Sequence, residues 1–152
     1  MTDTATAPLH LVAPCGLDCS RCVNCSEGQV AAHAKAIRDI LGPGFGPFAE
    51  RLAAMNPALA EYPAFARVLD ALAEGTCPGC KTERRTCLPT CKVAGCAAAR
   101  GLDFCADCAD YPCADTGLPP RLEQKWRASN DHIRAAGRDA FLRALAETPR
   151  YL

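Results

Sequence analysis

Twelve cysteines gathered into short knots constrain this 152-residue chain more than any other feature. They read Cys15-x3-Cys19-x2-Cys22-x2-Cys25, Cys77-Pro-Gly-Cys80, Cys87-x3-Cys91-x4-Cys96 and Cys105-x2-Cys108-x4-Cys113. Cysteines this close in sequence let one turn aim two thiolates at a single ion, which is what zinc and iron–sulfur sites require. All twelve are therefore candidate metal ligands. The competing use, a disulfide framework, belongs to oxidising compartments.

The first ten residues lack the basic start and apolar run of a secretory leader, and no later stretch approaches the ~20 apolar residues of a membrane span. The expectation is a cytoplasmic protein without membrane contact, whose cysteines serve as ligands or redox groups. Its length suits a single domain spanning residues 1–152. Hydrophobic residues make up 49%, but alanine and cysteine supply much of that. With few large side chains in the cysteine-dense parts, metal is expected to substitute for burial there, giving a small metal-stabilised domain.

Formal charge balances at 17 basic against 17 acidic residues. That balance counts each thiol as neutral, whereas a four-thiolate zinc centre is net negative, so filled sites would leave the chain acidic. Arg21, Lys81, Arg84, Arg85 and Lys92 lie among the knots and are expected to offset thiolate charge. Without overall basicity or interleaved aromatic residues, a nucleic-acid partner is not expected.

Between the first and second cysteine groups the texture is helical. Val30, Ala34, Ile37 and Leu41 recur at helical spacing over Gln29–Leu41, which Gly42-Pro43-Gly44 ends. A second helix is expected from Pro47, with Phe48, Leu52 and Met55 as its apolar stripe, stopping near Asn56-Pro57. A third starts at Pro63, turns Phe65, Val68, Leu69 and Leu72 inward and ends at Gly75. Together they form a helical insert over about residues 29–75. A short helix over Lys92–Arg100, closed by Gly101, follows within the cysteine-rich stretch. The C-terminal helical region, about 120–147, carries Trp126, with a second helix start at Asn130 or Asp131. There Ile133, Gly137, Ala140, Phe141 and Leu145 share a face, and Gly137 in a helix interior is expected to admit a close neighbour.

In Cys77-Pro78-Gly79-Cys80, proline presets the first dihedral of a type II turn and glycine permits the positive φ of the second. The result is a zinc knuckle. A thioredoxin-like dithiol would need a preceding strand and a helix at the second cysteine, whereas the following Lys81-Thr-Glu-Arg-Arg-Thr reads as loop. The eight cysteines from Cys77 to Cys113 suffice for two four-cysteine sites, with Cys77 and Cys80 completed either by Cys105 and Cys108 or by members of the middle trio. At the N-terminus, Cys15-x3-Cys19-x2-Cys22 has the spacing with which radical enzymes using S-adenosylmethionine hold a [4Fe–4S] cluster. The chain, however, has no βα alternation from which to build their barrel. His10, His33 and His132 lie outside the knots and read as surface residues; Asp18 and Asp107 read as hydrogen-bond acceptors within the loops. No Ser-His-Asp, paired-carboxylate or phosphate-loop pattern is present. Whether the chain is an enzyme is left open, since a free metal position is invisible in sequence.

The succession Cys15-Gly-Leu-Asp-Cys19-x2-Cys22, Cys77-x-Gly-Cys80, Cys91-x4-Cys96-Ala and Cys105-x2-Cys108-x2-Tyr-Pro-Cys113 resembles a family of small cysteine-rich prokaryotic proteins catalogued as domain of unknown function 3795. The tail Ile133-Arg-Ala-Ala-Gly137 is similar to the end of that family. Two departures stand out: the family commonly has an aromatic residue at the position of Cys25, and a two-residue gap where this chain has Cys87-Leu-Pro-Thr-Cys91. The resemblance implies metal binding and brings no reaction.

The sequence thus predicts a mainly α protein with irregular zinc-knuckle segments. Its twelve cysteines are expected to hold two or three zinc ions, in an interaction or regulatory module open to a protein partner. The alternative is an iron–sulfur protein whose N-terminal knot holds a cluster for electron transfer or an accessory redox role.

Overall fold

The computed structural model describes residues 6–82 and 87–151. Among them six α-helices form: α1 (Gln29–Leu41), α2 (Phe45–Leu52), α3 (Tyr62–Glu74), α4 (Val93–Ala99), α5 (Pro120–Ala136) and α6 (Arg138–Glu147). Short 3-10 turns lie at Leu9–Leu11, Pro57–Glu61 and Cys105–Asp107. No strand appears among the described residues, only isolated bridges pairing Val12 with Asp18 and Cys25 with Cys77. The protein is mainly helical, and its cysteines sit chiefly on irregular segments. No helix of the described residues is long and apolar enough to cross a membrane.

Helix ends follow local backbone chemistry. α1 has the expected bounds, α3 begins with Pro63 in its first turn and ends before Gly75, and α2 begins two residues earlier than expected, with Pro47 still inside its first turn. Proline is tolerated there because first-turn N–H groups have no partner within the helix. At the end of α4, Gly101 N–H donates to Ala98 O at 3.2 Å and Leu102 N–H to Ala97 O at 2.9 Å, the paired bonds of a Schellman motif.

The buried faces of the insert differ from expectation. α1 packs on α3 through Ala34, Leu69 and Ala73, with Leu72 against them. Ile37 is 43% exposed, Phe48 46%, Met55 84%, Phe65 46% and Val68 58%, although their spacing suggested an inward stripe. The buried seam between α1 and α3 is made largely of alanine, and the larger side chains beside it stay partly exposed. α2 is held by aromatic contacts instead, with the Phe45 and Tyr62 rings edge-on at 4.8 Å.

The C-terminal region also departs from its reading. α5 runs unbroken through Asn130 and Asp131, and the break falls at Gly137, whose φ of 86° separates α5 from α6. Nothing lies near the place where a Gly137 side chain would begin, so this glycine serves the turn and admits no close neighbour. Two apolar clusters result. Phe141, Leu142 and Ile133 enclose Phe104, Val12 and Ala7; Trp126 and Tyr111 pack with Ala13, Val93, Cys15 and Cys108. Trp126 and Phe104 are both fully buried, so the cysteine loops do rest on large side chains, with Trp126, Ile133, Phe141 and Leu142 supplied by α5 and α6.

Candidate metal centre

The N-terminal knot is a series of tight turns. Gly16 N–H donates to Ala13 O at 2.8 Å, Ala13 N–H to Leu17 O at 2.9 Å and Cys19 N–H to Leu11 O at 2.8 Å. Gly16 has a φ of 84° and sits directly against Ser129 of α5. Asp18, 2% exposed, behaves as expected: its carboxylate accepts from Ser20 N–H at 2.9 Å and from Arg21 Nε at 2.7 Å. The last part of the knot meets the knuckle. Cys77 N–H donates to Asn24 O at 2.8 Å and Ser26 N–H to Cys77 O at 3.0 Å, so Cys25 and Cys77 lie side by side. Gly79 has the positive φ, 92°, of the expected turn.

These contacts bring separated segments around one cavity of about 260 Å³. Cys15, Cys19, Cys22 and Cys25 line it together with Cys77, Cys80, Cys87 and Cys91. Cys15 belongs to the apolar cluster around Trp126, and Cys19, Cys80 and Cys91 pack against that cluster. A smaller cavity of about 40 Å³ is lined by Cys96, Cys105 and Cys113 together with Val93 and Trp126. Cys108 packs in the same cluster as Trp126 and Cys105. Of the completions considered for Cys77 and Cys80, the fold brings Cys87 and Cys91 to the same cavity, together with the N-terminal knot; Cys105 lines the small cavity, and Cys108 does not line the large one.

Among the described residues no group of three or more Cys, His, Asp or Glu side chains is gathered into a formed ion site. All twelve cysteines are free thiols: eight line the large cavity, Cys96, Cys105 and Cys113 line the small one, and Cys108 packs in the Trp126 cluster. Burial pushes Cys15 and Cys19 up to about 12 and Cys80 up to about 11, with neighbouring thiols adding to the effect. Cys25, Cys87 and Cys105 are raised mainly by burial as well. Such thiols keep their protons at neutral pH unless a cation is present to stabilise the thiolate. A second feature fits the same group. Trp126 Nε1 is buried without a hydrogen-bond acceptor, yet lies near enough to Cys105 for the indole to favour that thiol's ionised form. A metal-bound thiolate would supply the missing acceptor, so the donor set suits a thiophilic ion.

The cations are placed differently from expectation. Lys81 donates to Leu9 O and pairs with Asp103, Arg21 pairs with Asp18, and Lys92 pairs with Asp115 beside the small cavity. Arg84 and Arg85 lie outside the described residues. Arg100 Nη1 is 3.1 Å from Cys108 Sγ, and Arg150 lines the large cavity and donates to Asp18 O at 2.8 Å. His10, His33 and His132 are exposed, as expected. Asp107 pairs with Arg138 at 3.1 Å instead of accepting from the loop backbone.

Asn130 is the residue that sequence reading most undervalued. Its Oδ1 accepts from Ala106 N–H at 2.7 Å, and its Nδ2 donates to Trp126 O at 2.8 Å and to Pro14 O at 3.4 Å. One fully buried amide therefore ties α5 to the turns bearing Cys15 and Cys105. The only sequence signal was an asparagine, a poor helix former, within a helical pattern. Asn130→Ala leaves the Ala106 N–H without its partner, and we expect a loss of roughly 2–3 kcal/mol, read as a lower urea midpoint at unchanged slope.

Residues 11–117 match the family model described as Protein of unknown function (DUF3795). The chain belongs to this family. The matched segment holds all twelve cysteines and includes the helical insert, and it stops before α5, so the tail Ile133–Gly137 lies beyond it. No curated protein and no solved structure matches the chain.

Proposed function

We propose that this protein is a zinc-binding module in which cysteine thiolates hold the ions and the ions hold the loops, with an interaction or regulatory role and no assigned reaction. The observation that carries the reading is the convergence of eight cysteines from separated segments on one cavity. The remaining four, Cys96, Cys105, Cys108 and Cys113, are grouped near Trp126. Eight and four are multiples of the four thiolates that a closed tetrahedral zinc site takes, and no histidine lines either cavity. Bound zinc supplies fixed cross-links between segments that have no strand pairing of their own. The large apolar side chains exposed on α1 and α3 support an interaction role.

The test is metal and acid-labile sulfide analysis of protein purified anaerobically without a metal-affinity tag. Two or three zinc ions per chain and no sulfide are expected. Iron with equal sulfide and a brown colour would replace this reading with an iron–sulfur protein, and metal-free folded protein would end both.

A further inference from the structure

We propose that Cys96, Cys105, Cys108 and Cys113 form a self-contained four-thiolate zinc site, with the Trp126 indole N–H donating to Cys105 Sγ and the Arg100 guanidinium to Cys108 Sγ. The proposal rests on the metal-binding reading above and assigns which thiols share an ion. Three features of the fold carry it.

The first is grouping. Cys105 and Cys108 flank one 3-10 turn, Cys113 follows after Tyr111-Pro112, and Cys96 lies on α4 across the small cavity. Tyr111 fixes the path between Cys108 and Cys113. Its ring meets Trp126 edge-on at 5.1 Å, its hydroxyl donates to Asp131 at 2.7 Å, and Arg134 stacks on it while donating to Cys108 O at 2.8 Å. The thiols with the largest electrostatic influence on Cys105 agree, being Cys113, Cys96 and Cys108.

The second is the unpartnered indole nitrogen. Trp126 is fully buried, borders the small cavity and has an Nε1–H with no acceptor. A buried donor left unsatisfied costs roughly 1–3 kcal/mol, and a thiolate at Cys105 removes that cost. The third is charge. Four thiolates on a divalent ion leave net negative charge, and Arg100 is already 3.1 Å from Cys108 Sγ while held by Asp110 at 2.6 Å. Hydrogen bonds to metal-bound sulfur orient the ligand and spread its charge.

The chain has one tryptophan, so its indole N–H gives a single NMR signal that needs no assignment. Cys96 and Cys87 are both exposed, one in each group, and can be changed with the least harm to packing. The wild type, Cys96→Ser and Cys87→Ser are compared for zinc per chain and for movement of the indole signal on zinc loading. Cys96→Ser should lose one ion and the zinc-dependent movement together; Cys87→Ser should lose metal yet keep the movement. Retention of every ion by Cys96→Ser, or loss of the movement in Cys87→Ser, would overturn the assignment. Should Cys96→Ser not fold, zinc titration of stripped wild-type protein decides. Movement that saturates with one ion supports the site, and an indole signal unmoved at full loading refutes it. Wild-type protein that binds no zinc at all would instead remove the metal-binding reading on which the site rests.

Discussion

On the zinc-binding reading proposed above, stripping the metal with a strong chelator at neutral pH is expected to unmake the packing of the cysteine loops while leaving most of the helical circular-dichroism signal. A structural zinc contributes roughly 10–16 kcal/mol in small metal-dependent domains, comparable to or larger than the whole stability of an ordinary domain, about 5–15 kcal/mol. Tight turns shape each loop around the large cavity, but the N-terminal knot and the knuckle are joined through the bridge of Cys25 and Cys77 and its neighbouring hydrogen bonds, and without metal their thiols are neutral, unlinked side chains. The α1–α3 seam uses Ala34, Leu69 and Ala73 and involves no thiol. The α5–α6 corner rests on Phe141, Ile133 and Phe104. Trp126 shares one apolar cluster with Cys15 and Cys108, so its emission should shift to the red as the loops come away. Near-ultraviolet circular dichroism, tryptophan emission and a melting curve, each before and after chelation, provide the check. An unmoved emission maximum and melting temperature after complete metal loss would show that zinc has no structural role.

Gly16→Ala is expected to cost roughly 3 kcal/mol or more, the largest effect of any single methyl group in the N-terminal knot. Two penalties combine. A φ of 84° lies where an L side chain is strained by about 1–3 kcal/mol, and the added carbon would overlap the Ser129 side chain on α5, an overpacking cost of about 1–3 kcal/mol. The overlap cannot be relieved by moving the loop alone, because Asn130, the next residue, anchors Pro14 and Ala106. Combining Gly16→Ala with Ser129→Gly should recover the steric share and leave the backbone share. The four urea denaturation curves of that double-mutant cycle separate the two. A Gly16→Ala protein with wild-type stability would mean that the knot does not press against α5 in solution.

The glycine in Cys15-Gly16-Leu17-Asp18-Cys19 thus has a reason that no reading of the knot in isolation supplies. Its positive φ belongs to the turn, but the absence of a side chain is demanded by a helix more than a hundred residues later. Asn130 shows the same limit from the other side. Its side chain looked like a helix start because asparagine caps helices locally, and it proved to be a buried bridge because two loops from distant sequence present it with an N–H and a carbonyl. Phe65 and Val68 looked inward because periodicity reports an apolar face and says nothing of whether another element arrives to cover it.

The sequence by itself determined the alternation of cysteine-bearing and helical segments, the ends of α1 and α3, the turn at Gly79 and the mainly helical class. Each follows from backbone preferences of a few neighbouring residues, with glycine, proline and apolar spacing acting over one or two turns. Only the tertiary structure decided which cysteines share a cavity: the N-terminal knot with Cys77, Cys80, Cys87 and Cys91, and Cys96 with Cys105 and Cys113 beside Trp126. Thiols two to four residues apart are neighbours in any compact turn. Bringing them to thiols 50 or more residues away depends on long-range packing onto α5, through the Trp126, Asn130 and Ser129 contacts, and cysteine spacing carries no record of that.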